Sequence, residues 1–135
     1  MKEITLPAIA ESIPKVTEWI DAALEALGCS IKAQMQLDVA IDELFGNIAA
    51  YAYGQGQGDA TVRLDFNETD RIVSITFLDS GMPFDPLAKD DPNVNVPAAE
   101  RAIGGLGIYL VKKTMDSMEY RFENGMNILT IHKRI

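Results

Sequence analysis

Residues 37 to 53, LDVAIDELFGNIAAYAY, constrain the fold more than any other stretch. Leu37, Ile41, Leu44, Ile48 and Tyr51 recur at three- and four-residue steps, which predicts one apolar stripe along a helix. Ala40, Glu43 and Asn47 fall on a neighbouring stripe, and Glu43 and Asn47, four apart, share a face. An acid and an amide beside a core-facing stripe must reach solvent or find partners, because burial without them is costly. Two readings follow. The helix either walls a cavity with a carboxylate and an amide, or carries two polar residues at the edge of a solvated face. Gly46 inside it costs about 1 kcal/mol relative to Ala. It marks either a close backbone approach or a local weakness.

The flanking segments read as alternating helices and strands. KEITL at 2–6 alternates weakly before Pro7 and predicts a short first strand. Ser12 is the expected cap of a first helix, with Pro14 near the first turn, where a missing N–H is harmless. Ile13, Val16, Ile20, Ala23, Leu24 and Leu27 form its apolar stripe, and Gly28 ends it. Ser30 caps the second helix, which runs to about Tyr53. The alternating glycines of 54–59 read as a plain connector, because a strand follows them and not a helix. Strands at 60–66, with Val62, Leu64 and Phe66 on one face, and at 71–78 flank a turn at 67–70. The mixed apolar faces of the second suggest a central position.

Residues 79–103 hold four prolines and four aspartates with no regular period. A stretch this irregular inside a small domain reads as a functional loop or lid, or as surface disorder. Gly104-Gly105-Leu106-Gly107 then opens a helix whose buried side is Leu106, Leu110, Val111 and Met115. Asn124-Gly125 between alternating runs at 118–123 and 126–133 is a strong hairpin signal. This order predicts an α+β fold: a two-layer sandwich with a mainly antiparallel sheet covered on one face by helices. Its length, 135 residues, fits a single domain spanning 1–135, with a lid at about 80–103.

Composition narrows the partners. A formal charge of −8 argues against a general DNA or RNA binder. It leaves a nucleotide ligand open, since backbone amides at a helix start supply local positivity. Cys29 is the single cysteine, so no internal disulfide and no Cys-rich zinc site can form, and it reads as a small apolar filler. His132, the one histidine, lies in an alternating strand and is expected exposed or packed, not a ligand. No run approaches the roughly 18 apolar residues of a membrane span. The expectation is a soluble cytoplasmic protein with no membrane contact.

Three short segments carry chemistry. Asp79-Ser80-Gly81 follows the central strand; an Asp there accepts a hydrogen bond from an amino group, while Gly lets a flat ligand approach. Gly104-Gly105-Leu106-Gly107 presents backbone N–H groups at the positive end of a helix. The third is the Glu43/Asn47 pair. Taken singly, the first is an ordinary turn and the second an ordinary helix entry.

In order and spacing the three resemble the Bergerat-type (GHKL) ATP-binding fold across essentially the whole chain. Glu43-x-x-x-Asn47 resembles its N box, Asp79-x-Gly81 its first glycine box, and Gly105-x-Gly107, preceded by Gly104, its second. The run ERAIGGLGIYLVKKTMD at 100–116 is similar to the anti-sigma-factor serine/threonine kinases within that group. The resemblance implies ATP and Mg²⁺. By it, Asp79 binds the adenine amino group, Gly81 makes room beside the ring, and Asn47 holds Mg²⁺. Gly104, Gly105, Leu106 and Gly107 cradle phosphates through their N–H groups, and Glu43 is the general base. Arg101 is either a phosphate contact from the lid or a solvated loop charge. Two positions depart from the family. Tyr51 stands where many members carry His, and Gly125-Met126-Asn127 replaces a late Gly-Thr, with Asn127 a candidate to take the Thr's place as a hydrogen-bonding group near the nucleotide.

The implied function is an anti-sigma kinase that phosphorylates an anti-sigma-factor antagonist and sequesters a sigma factor. The alternative is a catalytically weak, ATP-gated module that switches protein partners without phosphoryl transfer. The family tends to dimerise, which leaves a homodimer open, with Trp19 or the first-strand edge as candidate contacts.

Overall fold

Gly28 and Ser30 set the boundary between the first two helices by local chemistry. The computed structural model describes residues 1–88 and 105–135, with side chains from 107 onward in the second span. Helix α1 (Ile13–Ala26) ends at Gly28, whose φ of +72° lies in the left-handed region that glycine enters without penalty. The Gly28 and Cys29 N–H groups donate to the Glu25 and Leu24 carbonyls, each at 3.1 Å. Helix α2 (Ile31–Asn47) starts where Ser30 Oγ accepts the Ala33 N–H at 3.1 Å. Ser12 corrects the expectation. It is buried, already helical at φ −81° and ψ −18°, and makes no side-chain cap. A 3₁₀ turn at Ala10–Ser12 leads into α1 in its place.

Five strands form one sheet: β1 (Lys2–Pro7), β2 (Asp59–Asn67), β3 (Ile72–Asp79), β4 (Ser117–Glu123) and β5 (Met126–Arg134). Their order is β1-β2-β3-β5-β4, every pair antiparallel, with β3 at the centre as its two apolar faces imply. Asn124 and Gly125 take φ of +55° and +77°, the paired left-handed conformation of a type I′ turn, and this fixes the β4–β5 register. One sheet face presents Val62, Leu64, Val73, Ile75, Phe77, Leu129 and Ile131, all buried with α1 and α2 residues in one apolar cluster. Burial of each large side chain contributes about 1.5–3 kcal/mol. The other face is polar. Thr76 Oγ1 lies 3.0 Å from Thr130 Oγ1, and His132 sits between Ser74 Oγ (2.7 Å) and Glu119 Oε1 (3.0 Å), packed as expected. This is the α+β sandwich that the element order predicts. Helix α3 (Gly105–Thr114) completes it.

Two apolar expectations fail. Leu37, Ile41 and Leu44 are buried, but Tyr51 is 57% exposed. The cause is a π-helical turn at Ile48–Ala52, which widens the helix and rotates the stripe out of phase. The Tyr51 ring then lies 6.5 Å from that of Phe84. In α3, Ile108, Val111 and Met115 are buried while Leu110 faces outward; the side chain of Leu106 lies outside the described residues. Gly46 admits no close approach among the described residues, since an added Cβ there meets only Ile13 Cδ1, at 3.9 Å. Trp19 is half-buried on α1 against the core. Cys29 is half-buried too, and burial pushes its thiol above the usual range.

Between α1 and α2, Asp21 and Asp38 each bury one carboxylate oxygen that has no partner among the described residues. Burial first, then the hydrogen bond and charge of Asp21, push Asp38 up to about 7. A carboxyl raised in the folded state holds its proton more tightly there than in the unfolded chain. Its stabilising effect is full below the unfolded value of 3.8 and is lost as pH rises through about 7. Asp38→Asn is therefore expected to raise Tm at pH 8 and to change it little at pH 4. Thermal melts across that range check this, and equal shifts at both ends would contradict it.

Candidate functional site

Strand β3 ends by burying a carboxylate. Asp79 is 5% exposed, and its Oδ1 accepts two hydrogen bonds at 2.9 Å, from the Gly81 N–H and from Asn127 Nδ2. Its Oδ2 has no partner among the described residues. Register explains the meeting, because Asp79 and Asn127 are directly paired across β3 and β5. Gly81 is needed at its position for room. A Cβ there would sit 2.1 Å from the Ala52 carbonyl oxygen, the same atom that accepts the Met82 N–H at 2.8 Å. Tyr53 closes the arrangement by donating its hydroxyl to the Asp59 carbonyl (2.6 Å) and accepting the Ser80 N–H (2.9 Å).

Around Asp79 lies a hollow lined mainly by Leu44, Ile48, Ala52, Phe77, Met82, Phe84 and Leu129, with Asn47, Tyr120 and Asn127 among its polar members. Apolar walls with a few convergent polar groups are the usual make-up of a small-molecule site. The bare Oδ2 of Asp79 suits a flat ring that carries an amino donor. Asn47 is half-buried, and its side chain makes no hydrogen bond among the described residues. An unengaged amide oxygen suits a hard cation that keeps most of its waters. Among the described residues no group of three or more His, Cys, Asp and Glu is placed to hold a metal by itself.

Glu43 stands one turn before Asn47 on α2 and is not among the lining residues of the hollow. It faces α3: a Cβ on Gly107 would fall 2.2 Å from the Glu43 Cδ. Gly107 is thus the residue that lets the α3 entry close on this carboxylate. Burial first, and then the neighbouring Asp42, raise the Glu43 carboxyl above the usual carboxylate range. Gly105 is the first residue of α3, so its N–H belongs to the helix's unpaired first turn. Arg101 and Gly104 lie outside the described residues, as does most of the 80–103 segment. The structure therefore brings Asn47, Asp79 and Gly81 to one place and sets the Glu43–Gly107 contact one helical turn along α2.

Tyr120 escaped the sequence reading, and so did the roles of Met82 and Phe84. Counting back from the Asn124-Gly125 turn puts Tyr120 on the same sheet face as Asn127, so the signal lay in the hairpin register. Asn127 itself appeared as a departure from a family motif and as a candidate replacement for its Thr near the nucleotide, without the Asp79 contact.

A model of the histidine kinase-like ATPase domain matches residues 6–133. The chain belongs to that family. The family match accords with the Bergerat-type resemblance, and it takes in every residue that lines the hollow. The chain is similar to the serine-protein kinase RsbW of Bacillus cereus (strain B4264), 28% identical over 131 residues that cover 94% of this chain and 81% of the relative. RsbW of Bacillus mycoides (strain KBAB4) matches to the same extent. The serine/threonine-protein kinase BtrW of Bordetella bronchiseptica is 28% identical over 102 residues, 76% of this chain and 71% of its own.

Proposed function

We propose that this protein is an ATP-dependent serine/threonine kinase of the anti-sigma type. It phosphorylates an anti-sigma-factor antagonist and sequesters a sigma factor, and it acts in the cytoplasm as a single domain. No helix among the described residues is long and apolar enough to cross a membrane. The observation that carries the reading is the bare Asp79 Oδ2 in an apolar hollow whose lining includes the unengaged Asn47 amide. Similarity to the named serine kinases supports the reaction class.

In this reading Asp79 accepts the adenine 6-amino group, and Gly81 leaves space for the ring. Asn47 holds Mg²⁺, which neutralises phosphate charge when bound. The N–H groups of Gly105, Leu106 and Gly107 donate to phosphate oxygens, with Gly104 and Arg101 extending the cradle. Glu43 accepts the proton of the attacking Ser or Thr hydroxyl. Positioning and charge neutralisation do most of the work in phosphoryl transfer, and the base orients the nucleophile.

The test is nucleotide binding with and without Mg²⁺, followed by transfer from γ-labelled ATP to a candidate antagonist. The expected result is Mg²⁺-strengthened ATP binding and a labelled Ser or Thr. Folded protein that binds no nucleotide at millimolar concentration would overturn the reading. ATP-driven partner exchange with no label transferred would favour the switching module.

A further inference from the structure

Asn127 is buried, and its amide spends every hydrogen-bonding position it has. Nδ2 donates to Asp79 Oδ1 and to the Met82 carbonyl, both at 2.9 Å. Oδ1 accepts the Phe84 N–H at 3.0 Å and the Tyr120 hydroxyl. The orientation of the amide is not free. A backbone N–H can only donate and a backbone carbonyl can only accept, so Phe84 and Met82 fix which end is oxygen. Tyr120 must then donate as well. One side chain on β5 thereby ties together the end of β3, the start of the following loop, and β4.

We infer that Asn127, locked by Tyr120, is the positioning residue that makes the hollow selective for a 6-aminopurine. The inference rests on the proposed role of Asp79 as adenine acceptor and adds what sets that acceptor. Asn127 has no donor left for a ligand, so it acts through Asp79. By engaging Oδ1 it pins the carboxylate plane and leaves Oδ2 as the sole outlet. By holding Met82 and Phe84 it also sets two of the walls along which a flat ring slides. Without the amide, the Asp79 carboxylate can rotate, and both of its oxygens compete for the Gly81 N–H.

The experiment compares ATP with purine riboside triphosphate, which has hydrogen in place of the 6-amino group. Wild-type protein is expected to prefer ATP by about tenfold, the worth of one hydrogen bond to a charged acceptor. In Asn127→Leu that preference falls to within about twofold through loss of ATP affinity, while affinity for the analogue moves by less than about threefold. Tyr120→Phe removes only the hydroxyl that locks the amide, and it is expected to lower the preference by about threefold. This second variant decides the matter if Asn127→Leu does not fold. Equal weakening of both ligands makes Asn127 a packing residue and overturns the inference, as does an intact ATP preference in the variants. Wild-type protein that binds neither triphosphate defeats the ATP reading itself, a distinguishable outcome.

Discussion

Glu43→Gln is expected to lower phosphoryl transfer by about 10²–10⁴-fold, the usual worth of a positioned general base, and at the same time to raise thermal stability. The two effects share one cause. The carboxyl is half-buried, with burial first and Asp42 second raising its proton affinity. A carboxyl raised in the folded state contributes its full stabilisation below its unfolded value, and that contribution is lost as pH rises through the folded one. In its ionised form Glu43 is therefore a strain on the fold, and a neutral amide of the same shape relieves it. ATP affinity should stay within about threefold of wild type, because Glu43 does not line the hollow. The wild-type rate should also climb with pH into a range where ordinary carboxylates are already ionised, since only the ionised form takes a proton. Single-turnover rates across pH, binding isotherms and melts check all four. A glutamine variant with wild-type turnover would remove Glu43 from the base role.

Gly81→Ala is the second large effect, and it strikes the fold and the hollow together. The new methyl would sit 2.1 Å from the Ala52 carbonyl oxygen and 2.5 Å from its carbon. Both are backbone atoms of the π-helical turn, so no side chain can swing aside. The loop must move off, and the Met82 N–H bond to the same carbonyl goes with it. Overpacking of this kind costs about 1–3 kcal/mol, roughly 3–10 °C in Tm for a chain of this size. ATP binding should weaken alongside, because the Gly81 N–H helps to hold Asp79. Gly46→Ala is the matched control. Its methyl meets only Ile13 Cδ1 at 3.9 Å, and it should stabilise α2 by about 0.5–1 kcal/mol. If both variants melt with wild-type protein, the close approach at Gly81 is not a constraint.

The parts of the fold that were legible from sequence obey local rules. Gly28 and Ser30 mark helix ends because a missing Cβ and a short hydroxyl act within a few residues. Asn124-Gly125 names its own turn and thereby the register of two strands. Tyr51 was misplaced because the π-helical turn depends on what surrounds the end of α2, and periodicity assumes that a helix continues unchanged. Ser12 was misplaced for a similar reason, since a preceding 3₁₀ turn took over the helix start. At the site, Asn47, Asp79 and Gly81 could be named from short spacings joined by a family pattern, and the structure brings them together. The Asn127–Tyr120 lock could not be named so directly. Its members are ordinary strand residues whose importance appears only when β3, β4 and β5 are laid side by side.

Trp19 separates two measurements that are usually entangled. It is the only indole in the chain, held partly against the core from α1, and it lines no part of the hollow beside Asp79. Its fluorescence should report melting and stay silent on occupancy, so one cuvette can tell a variant that has lost its shape from one that has merely lost its ligand.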